Sequence, residues 1–228
     1  MHKDANFLLK MDFRDFFPSI EMQDFLRFSR NRNFIDLDDD SLILRGLLFF
    51  WKPKGTQNLV MSIGAPSSPR LSNRMMYDID NKINELCCEN FVNYTRYADD
   101  LSFSTNRPDV LQAIYKGVVD IVDQHPSPDL EINKQKTVWT SRKHRRMVTG
   151  VTLTHDRELS IGRQRKRQVR AALHRFSLGQ LSNEEVLKLK GELAFATDVE
   201  PSFVVRMKSR YGRGLIEQVQ KYESNKDR

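Results

Sequence analysis

Tyr97-Ala98-Asp99-Asp100 sets two adjacent carboxylates between apolar, strand-prone segments at residues 91–96 and 101–104. The pattern predicts a hairpin with acid at its tip. A third carboxylate, Asp12, ends another strand-like run at residues 7–11, so folding can gather three acids at one sheet edge. Acids so gathered repel one another unless cations stand among them, and the chemistry they suit is the binding of divalent ions.

The elements that must position these acids form a chain of 228 residues, 39% of them apolar, enough to bury a sizeable core as one large domain or as a domain with an appendage. A net charge of +7 and a pI near 9.4 point to a polyanionic partner. Placement says more than the total: residues 134–175 hold 13 Lys or Arg against 2 acids, and the other 186 residues carry a net −4. That reads as a phosphate-binding surface following a cation-binding one. Cys87 and Cys88, the only two thiols, are chain neighbours and form no long-range staple, as expected of helix thiols in a reducing compartment. Met1-His2-Lys3-Asp4 lacks the apolar core of a signal peptide, and the run at 47–51 is far too short to cross a bilayer. The expectation is a cytoplasmic, soluble protein with no membrane partner.

Along the chain, a strand at 7–13 precedes Pro18-Ser19 and a helix at 21–30. Asp38-Asp39-Asp40-Ser41 supplies cap and dipole acids to a second helix, predicted at 42–51. Lys52-Pro53-Lys54-Gly55 reads as a turn, and Ile63-Gly64-Ala65-Pro66-Ser67-Ser68-Pro69 as a tight loop whose backbone another molecule can approach. Leu71, Met75, Ile79, Ile83 and Leu86 recur at helical spacing, predicting one long helix over 69–89. After the hairpin, Pro108-Asp109 opens a helix with Ile114, Val118 and Val122 inward, and strand pieces follow at 130–132, 137–139 and 147–153. The order is α+β, a small antiparallel sheet packed on helices, followed from about residue 161 by a basic helical subdomain with Val169, Leu173 and Phe176 on its apolar face. Residues 223–228 read as a fraying polar tail.

An Asp-Asp pair at a turn is weak evidence alone, since aspartate favours turns for local reasons. The ordered set carries more: Asp12 before an aromatic pair, the Gly-Ala-Pro loop, the Tyr-Ala-Asp-Asp hairpin, then a basic tract. From about Asn6 to Gly150 the chain resembles reverse transcriptase palms, and in detail the bacterial retron enzymes. Phe13-Arg14-Asp15-Phe16-Phe17-Pro18-Ser19-Ile20 is similar to their first palm motif, and Gly64-Ala65-Pro66-Ser67-Ser68-Pro69 with Leu71-Ser72-Asn73 to their second. Ile132-Asn133-Lys134-Gln135-Lys136-Thr137 resembles the stretch after the hairpin, and Val148-Thr149-Gly150 the triplet they carry before the thumb.

The resemblance implies a palm at 1–160, a thumb at 161–228, and Mg²⁺-dependent, RNA-templated DNA synthesis with two ions held about 4 Å apart. Asp12 and Asp99 are the first expected ligands, with the main-chain carbonyl of Phe13 beside them. Asp100 ranks behind, because on an extended strand it points away from Asp99 unless the turn redirects it. Phe17, five residues after Asp12, is where these enzymes set a bulky side chain beneath the sugar of the incoming deoxynucleoside triphosphate. At least two of Phe13, Phe16 and Phe17 are expected in the core. Gly64, Ala65 and Pro66 are expected against the nucleotide, although Ile63 stands where many reverse transcriptases have glutamine. Lys136 is the candidate to neutralise or protonate pyrophosphate, with Lys134 as its rival, and the spacing leaves both open. Arg145, Arg146, Arg163, Arg165, Lys166, Arg167 and Arg170 are expected on nucleic-acid phosphates, with Thr149 and Gly150 helping to recognise the enzyme's own RNA.

The implied partners are a cognate structured non-coding RNA serving as template and primer, its cDNA product (RNA-linked single-stranded DNA, msDNA), and a retron effector protein in antiphage defence. The resemblance starts at the first palm strand, so the basic N-terminal fingers are expected to be missing and activity of the chain alone is left open. Rival readings are a group II intron or abortive-infection type reverse transcriptase and, from another class, a catalytically silent RNA-binding scaffold.

Overall fold

The computed structural model describes residues 1–31 and 38–223; residues 224–228 of the tail expected to fray lie outside them. The chain divides into two compact units, Met1–His144 and a second from Arg145 onward.

In the first unit β1 (Phe7–Asp12) is followed by α1 (Met22–Asn31), α2 (Asp39–Phe49), β2 (Phe50–Trp51), β3 (Val60–Met61), α3 (Ser68–Met75) and α4 (Tyr77–Glu89). Then come the hairpin β4 (Asn93–Tyr97) and β5 (Asp100–Thr105), α5 (Val110–Asp123) and β6 (Val138–Ser141). Four strands make an antiparallel sheet in the order β4-β5-β1-β6. Strand alternation sends Leu9 and Met11 of β1 and Leu101 and Phe103 of β5 to one face, where they are buried with Ile79 and Ile83 of α4 and Ile114 and Val118 of α5. The opposite face carries Lys10 and Asp12 of β1 and, as their register partners, Ser102 and Asp100 of β5. One face thus builds the core and leaves the other to chemistry.

The N-terminal turn fastens to that polar face: His2 is buried, with Nδ1 2.8 Å from Ser104 Oγ and Nε2 2.8 Å from Thr95 Oγ1. Burial, followed by the charge of the chain terminus, lowers its pKa from 6.5 to about 4. The folded pKa lies below the unfolded one, so the contribution is intact above pH 6.5 and is lost as pH falls toward 4. The expected loss across that window is about 3 kcal/mol. Urea unfolding between pH 7.5 and 4.5 should show it in the wild type and not in His2→Gln; equal slopes in the two proteins would contradict the assignment.

Two helices differ from expectation. The long helix over 69–89 is broken at Met76, whose ψ of −5° departs from helical geometry. Met75 and Met76 are both buried at the break, where the Met76 amide is shared between the Ser72 and Arg74 carbonyls. The helix predicted over 42–51 starts earlier, capped by Asp38, which accepts from the Ser41 amide at 2.8 Å. It also ends earlier: Phe50 and Trp51 pair with Met61 and Val60, and Pro53 bars further helix. Of the strand piece at 130–132, only an isolated bridge between Ile132 and Phe13 forms. The thiols sit on α4, Cys87 buried and pushed up to about 12 by burial and then by its neighbour, Cys88 exposed.

The second unit opens with a sheet of β7 (Arg146–Val148), β8 (Val151–Leu153) and β9 (Leu159–Ser160). Four helices follow, α6 (Arg163–Ser177), α7 (Asn183–Val199), α8 (Pro201–Tyr211) and α9 (Arg213–Lys221), around Val169, Leu173, Leu193, Ala196, Phe203 and Ile216. The division falls at residue 144, whereas the change to helical composition suggested 160. Glu200, between α7 and α8, explains the difference: its carboxylate accepts from Ser160 Oγ at 2.8 Å and from the Ile161 amide at 3.2 Å, tying the small sheet to the helices.

Candidate active site

Asp12 and Asp100 are register partners on neighbouring strands, and Asp99 lies in the two-residue turn between β4 and β5. The three acids therefore meet at one end of the sheet. Ala98 takes φ 52° to make the turn, and the Phe13 amide donates to the Asp99 carbonyl at 3.1 Å, closing the turn against the end of β1. Register also settles the facing of Asp100: it starts β5 beside Asp12 and shares its face, so the alternation argument for ranking it behind Asp99 does not hold. The Asp99 carboxyl is raised, first by burial and then by the charges of Asp12 and Asp100, against the opposing bond from its own amide and the charge of Lys136.

The stretch after α5 reaches the same place. Asn133 donates its amide to the Asp12 carbonyl at 2.8 Å, and its side chain accepts from the amides of Gln135 and Lys136. That cap winds one short turn over residues 134–136 and delivers Lys136 Nζ to Asp12 Oδ1 at 2.8 Å. Lys134 instead lines a hollow with Arg14 and Glu131. Of the two rival lysines, the one that meets the acids is Lys136, and its pKa is raised by the bond to Asp12 and then by that residue's charge.

Among the described residues, no three His, Cys, Asp or Glu side chains are arranged to hold a metal ion together, so the expected three-carboxylate pocket is not ready-made. Two of the three acids are instead paired with lysines. Asp12 is 8% exposed and bonded to Lys136, and Asp100 lies 3.7 Å from Lys10 Nζ. Sequence reasoning missed Lys10, hidden inside an apolar run; its signal was its position two residues before Asp12, hence on the same face. The donor set still fits Mg²⁺, which takes hard oxygens, keeps its waters, and needs one or two carboxylates plus substrate phosphates instead of an all-protein cage.

Around the acids, Phe13 and Phe16 are buried and stacked with centroids 5.6 Å apart, and the partly exposed Phe17 meets Phe16 edge-on at 5.2 Å. In the Gly-Ala-Pro loop, Gly64 has φ 85°, which a side chain resists, and open space lies where a Cβ would project. Ser68 Oγ donates to the Ser62 carbonyl at 2.6 Å and its amide to the Ala65 carbonyl at 3.1 Å, closing the loop. Gly64 and Pro66 are exposed and Ala65 half-buried.

In the second unit, Arg145, Thr149, Gly150, Arg163, Arg167 and Arg170 are exposed. Thr149 and Gly150 form the tip of the β7–β8 hairpin with φ 44° and 82°. Arg146 is a correction to the basic surface: it is 1% exposed and donates to the Thr154 carbonyl at 3.1 Å, so it braces the sheet and presents no charge to phosphate. Strand alternation at 145–147 turns it inward. Arg165 pairs with Glu192 at 3.1 Å and lies over the Phe195 ring, and Lys166 pairs with Glu200 at 2.7 Å, so both spend charge within the unit.

Comparison with known proteins agrees with this arrangement. The reverse transcriptase (RNA-dependent DNA polymerase) family matches residues 1–153. The chain is 39% identical over 224 residues to the retron Ec83 reverse transcriptase of Escherichia coli, covering 97% of this chain and 72% of that one. It is 31% identical over 217 residues to the retron Ec73 reverse transcriptase of the same organism, covering 90% and 66%. In fold it is similar to a telomerase from Candida albicans solved with a TWJ fragment of telomeric RNA, at TM-score 0.52 and 12% identity over 96% of this chain and 41% of that one. Family match, relatives and fold converge: the chain belongs to the reverse transcriptases, RNA-directed DNA polymerases, of the retron type.

Proposed function

We propose that this chain carries out Mg²⁺-dependent synthesis of DNA on a cognate structured RNA, producing RNA-linked single-stranded DNA (msDNA) used in antiphage defence. The observation that carries the reading is the meeting of Asp12, Asp99 and Asp100 at one end of the sheet, with Lys136 on Asp12. Asp12 and Asp99, with Asp100 and the Phe13 carbonyl, are the groups that would hold the ions. When bound, Mg²⁺ activates the 3′-hydroxyl and neutralises the triphosphate. Lys136 exchanges its bond to Asp12 for the departing pyrophosphate, to which its ammonium gives charge or a proton. Gly64, Ala65 and Pro66 offer backbone to the nascent base pair.

The first unit acts as palm and the second as thumb. Arg145, Arg163, Arg167 and Arg170 meet phosphates, and Thr149 and Gly150 meet the cognate RNA. Membership of the reverse transcriptases supports an RNA template as partner, and a companion effector protein completes the reading. No helix among the described residues is long and apolar enough to cross a membrane.

The test is extension of a primed structured RNA with deoxynucleoside triphosphates, with and without Mg²⁺; RNA binding without any extension would favour the silent scaffold. Phe17 supplies a sharper check. If its ring bars a 2′-hydroxyl, Phe17→Ala will lower the preference for dATP over ATP in kcat/KM by about 10- to 100-fold. An unchanged ratio would return Phe17 to a packing role beside Phe16.

A further inference from the structure

Arg96, the residue before Tyr97, lies on the core-facing side of β4, the side of its register partner Leu101, and its side chain is 6% exposed. It is held as a fork: Nε donates to Asp80 Oδ1 at 2.8 Å and Nη2 to Asp80 Oδ2 at 2.6 Å, while the Tyr94 hydroxyl donates to the same Oδ1 at 2.8 Å. Burial opposes the guanidinium charge, yet the bonds and charge of Asp80 outweigh it and raise the pKa. A pair that only fastened α4 to the sheet would end there. The remaining nitrogen does something else: Nη1 donates to the Ala98 carbonyl at 2.9 Å and to Asn73 Oδ1, on α3, at 3.1 Å.

The two carbonyls flanking Asp99 in the chain are therefore both held, that of Ala98 by Arg96 and that of Asp99 by the Phe13 amide. Both peptide planes beside Asp99 are restrained, and with them the direction of its Cα–Cβ bond, from which the carboxylate projects. The restraint has a cause, since Ala98 sits at φ 52°, where a residue with a Cβ does not rest by preference. Lysine cannot reproduce it, because its donors all sit on one nitrogen, whereas Arg96 bonds through three separate nitrogens of a planar fork. The guanidinium also lies 6.0 Å from the Phe16 ring, in the segment that follows Asp12.

We propose that Arg96, clamped by Asp80, is the positioning residue for Asp99: its grip on the Ala98 carbonyl aims the carboxylate, and its bond to Asn73 ties that aim to the helix following the Gly64 loop. The inference rests on the reading of Asp99 as an ion ligand. It touches no substrate and acts only through the turn.

Mn²⁺ titration of the full chain by electron paramagnetic resonance, amide hydrogen exchange over residues 97–100, and steady-state extension test it together. Arg96→Lys should weaken Mn²⁺ binding about tenfold, speed exchange in the turn, and lower kcat about 10- to 100-fold with KM for the primed RNA within about twofold. Val118→Ala, a core change in α5, should lower the melting temperature without moving Mn²⁺ affinity. Arg96→Lys with wild-type Mn²⁺ affinity and wild-type exchange overturns the proposal. If Arg96→Lys does not fold, Asn73→Ala decides: it spares the Arg96–Asp80 pair, and a shift in the same direction supports the proposal while wild-type behaviour overturns it. A wild type that binds no Mn²⁺ defeats the ion reading instead, and turn exchange still decides whether Arg96 sets the turn.

Discussion

Asp99→Ala will abolish RNA-templated primer extension, by at least about 10³-fold, while affinity for the RNA holds or rises. The carboxylate feels the charges of Asp12 and Asp100, and burial with those charges already raises its pKa, so the folded chain does not favour its charge. Alanine removes that charge and leaves the turn intact, because what Asp99 gives to the fold is its main-chain carbonyl, bonded to the Phe13 amide. Losing an anion beside a polyanion removes a repulsion. Extension rates, filter binding and a thermal melt separate the outcomes. Affinity falling in step with activity would mean that the substitution unfolds the turn and that the loss says nothing about ions.

Glu200→Ala will destabilise the second unit by about 2–4 kcal/mol, mostly the cost of leaving the Ser160 hydroxyl and the Ile161 amide without their buried acceptor. The residue is 9% exposed and accepts from four donors: Ser160 Oγ, the Ile161 amide, Lys166 Nζ at 2.7 Å and Arg206 Nη2 at 3.1 Å. β9, α6 and α8 all meet through it. Burial alone would raise its pKa, but the bonds to Lys166 and Ser160 outweigh that and lower it. A folded pKa below the unfolded 4.5 makes this stability complete above pH 4.5 and lost as pH falls through the folded value. Hydrogen exchange across α6 and α8 in the full chain should accelerate accordingly, and Glu200→Gln should flatten the acid dependence. A loss below about 1 kcal/mol would show that the cluster is as dispensable as a surface pair. Lys166→Ala should then register first as lost stability and only second as a changed salt dependence of RNA binding.

Much of the site was legible because strand alternation and turn chemistry act locally. Asp12 at a strand end and the Ala98-Asp99 turn follow from neighbours within a few residues, whereas the strand expected over 147–153 folds back on itself at Thr149-Gly150. What sequence could not supply were the partners chosen across the fold. Lys134 and Lys136 are alike in one dimension, and only the Asn133 cap decides which reaches Asp12. Arg146 looks like its exposed neighbour Arg145 until the β7–β8 register buries it. The break at Met76 leaves no mark in the spacing of Leu71, Met75, Ile79, Ile83 and Leu86, which runs straight through it. Arg96 reads as an ordinary strand arginine, and Asp80, sixteen residues earlier, gives it a second meaning only once α4 lies against the sheet.

The most direct measurement of the central claim is anomalous diffraction from crystals of the chain with primed RNA, a deoxynucleoside triphosphate and Mn²⁺. Two peaks about 4 Å apart, ligated by Asp12 and Asp99 and touching the triphosphate, are the predicted result. A fully occupied nucleotide with no peak at these carboxylates, and Asp12 still bonded to Lys136, would contradict it.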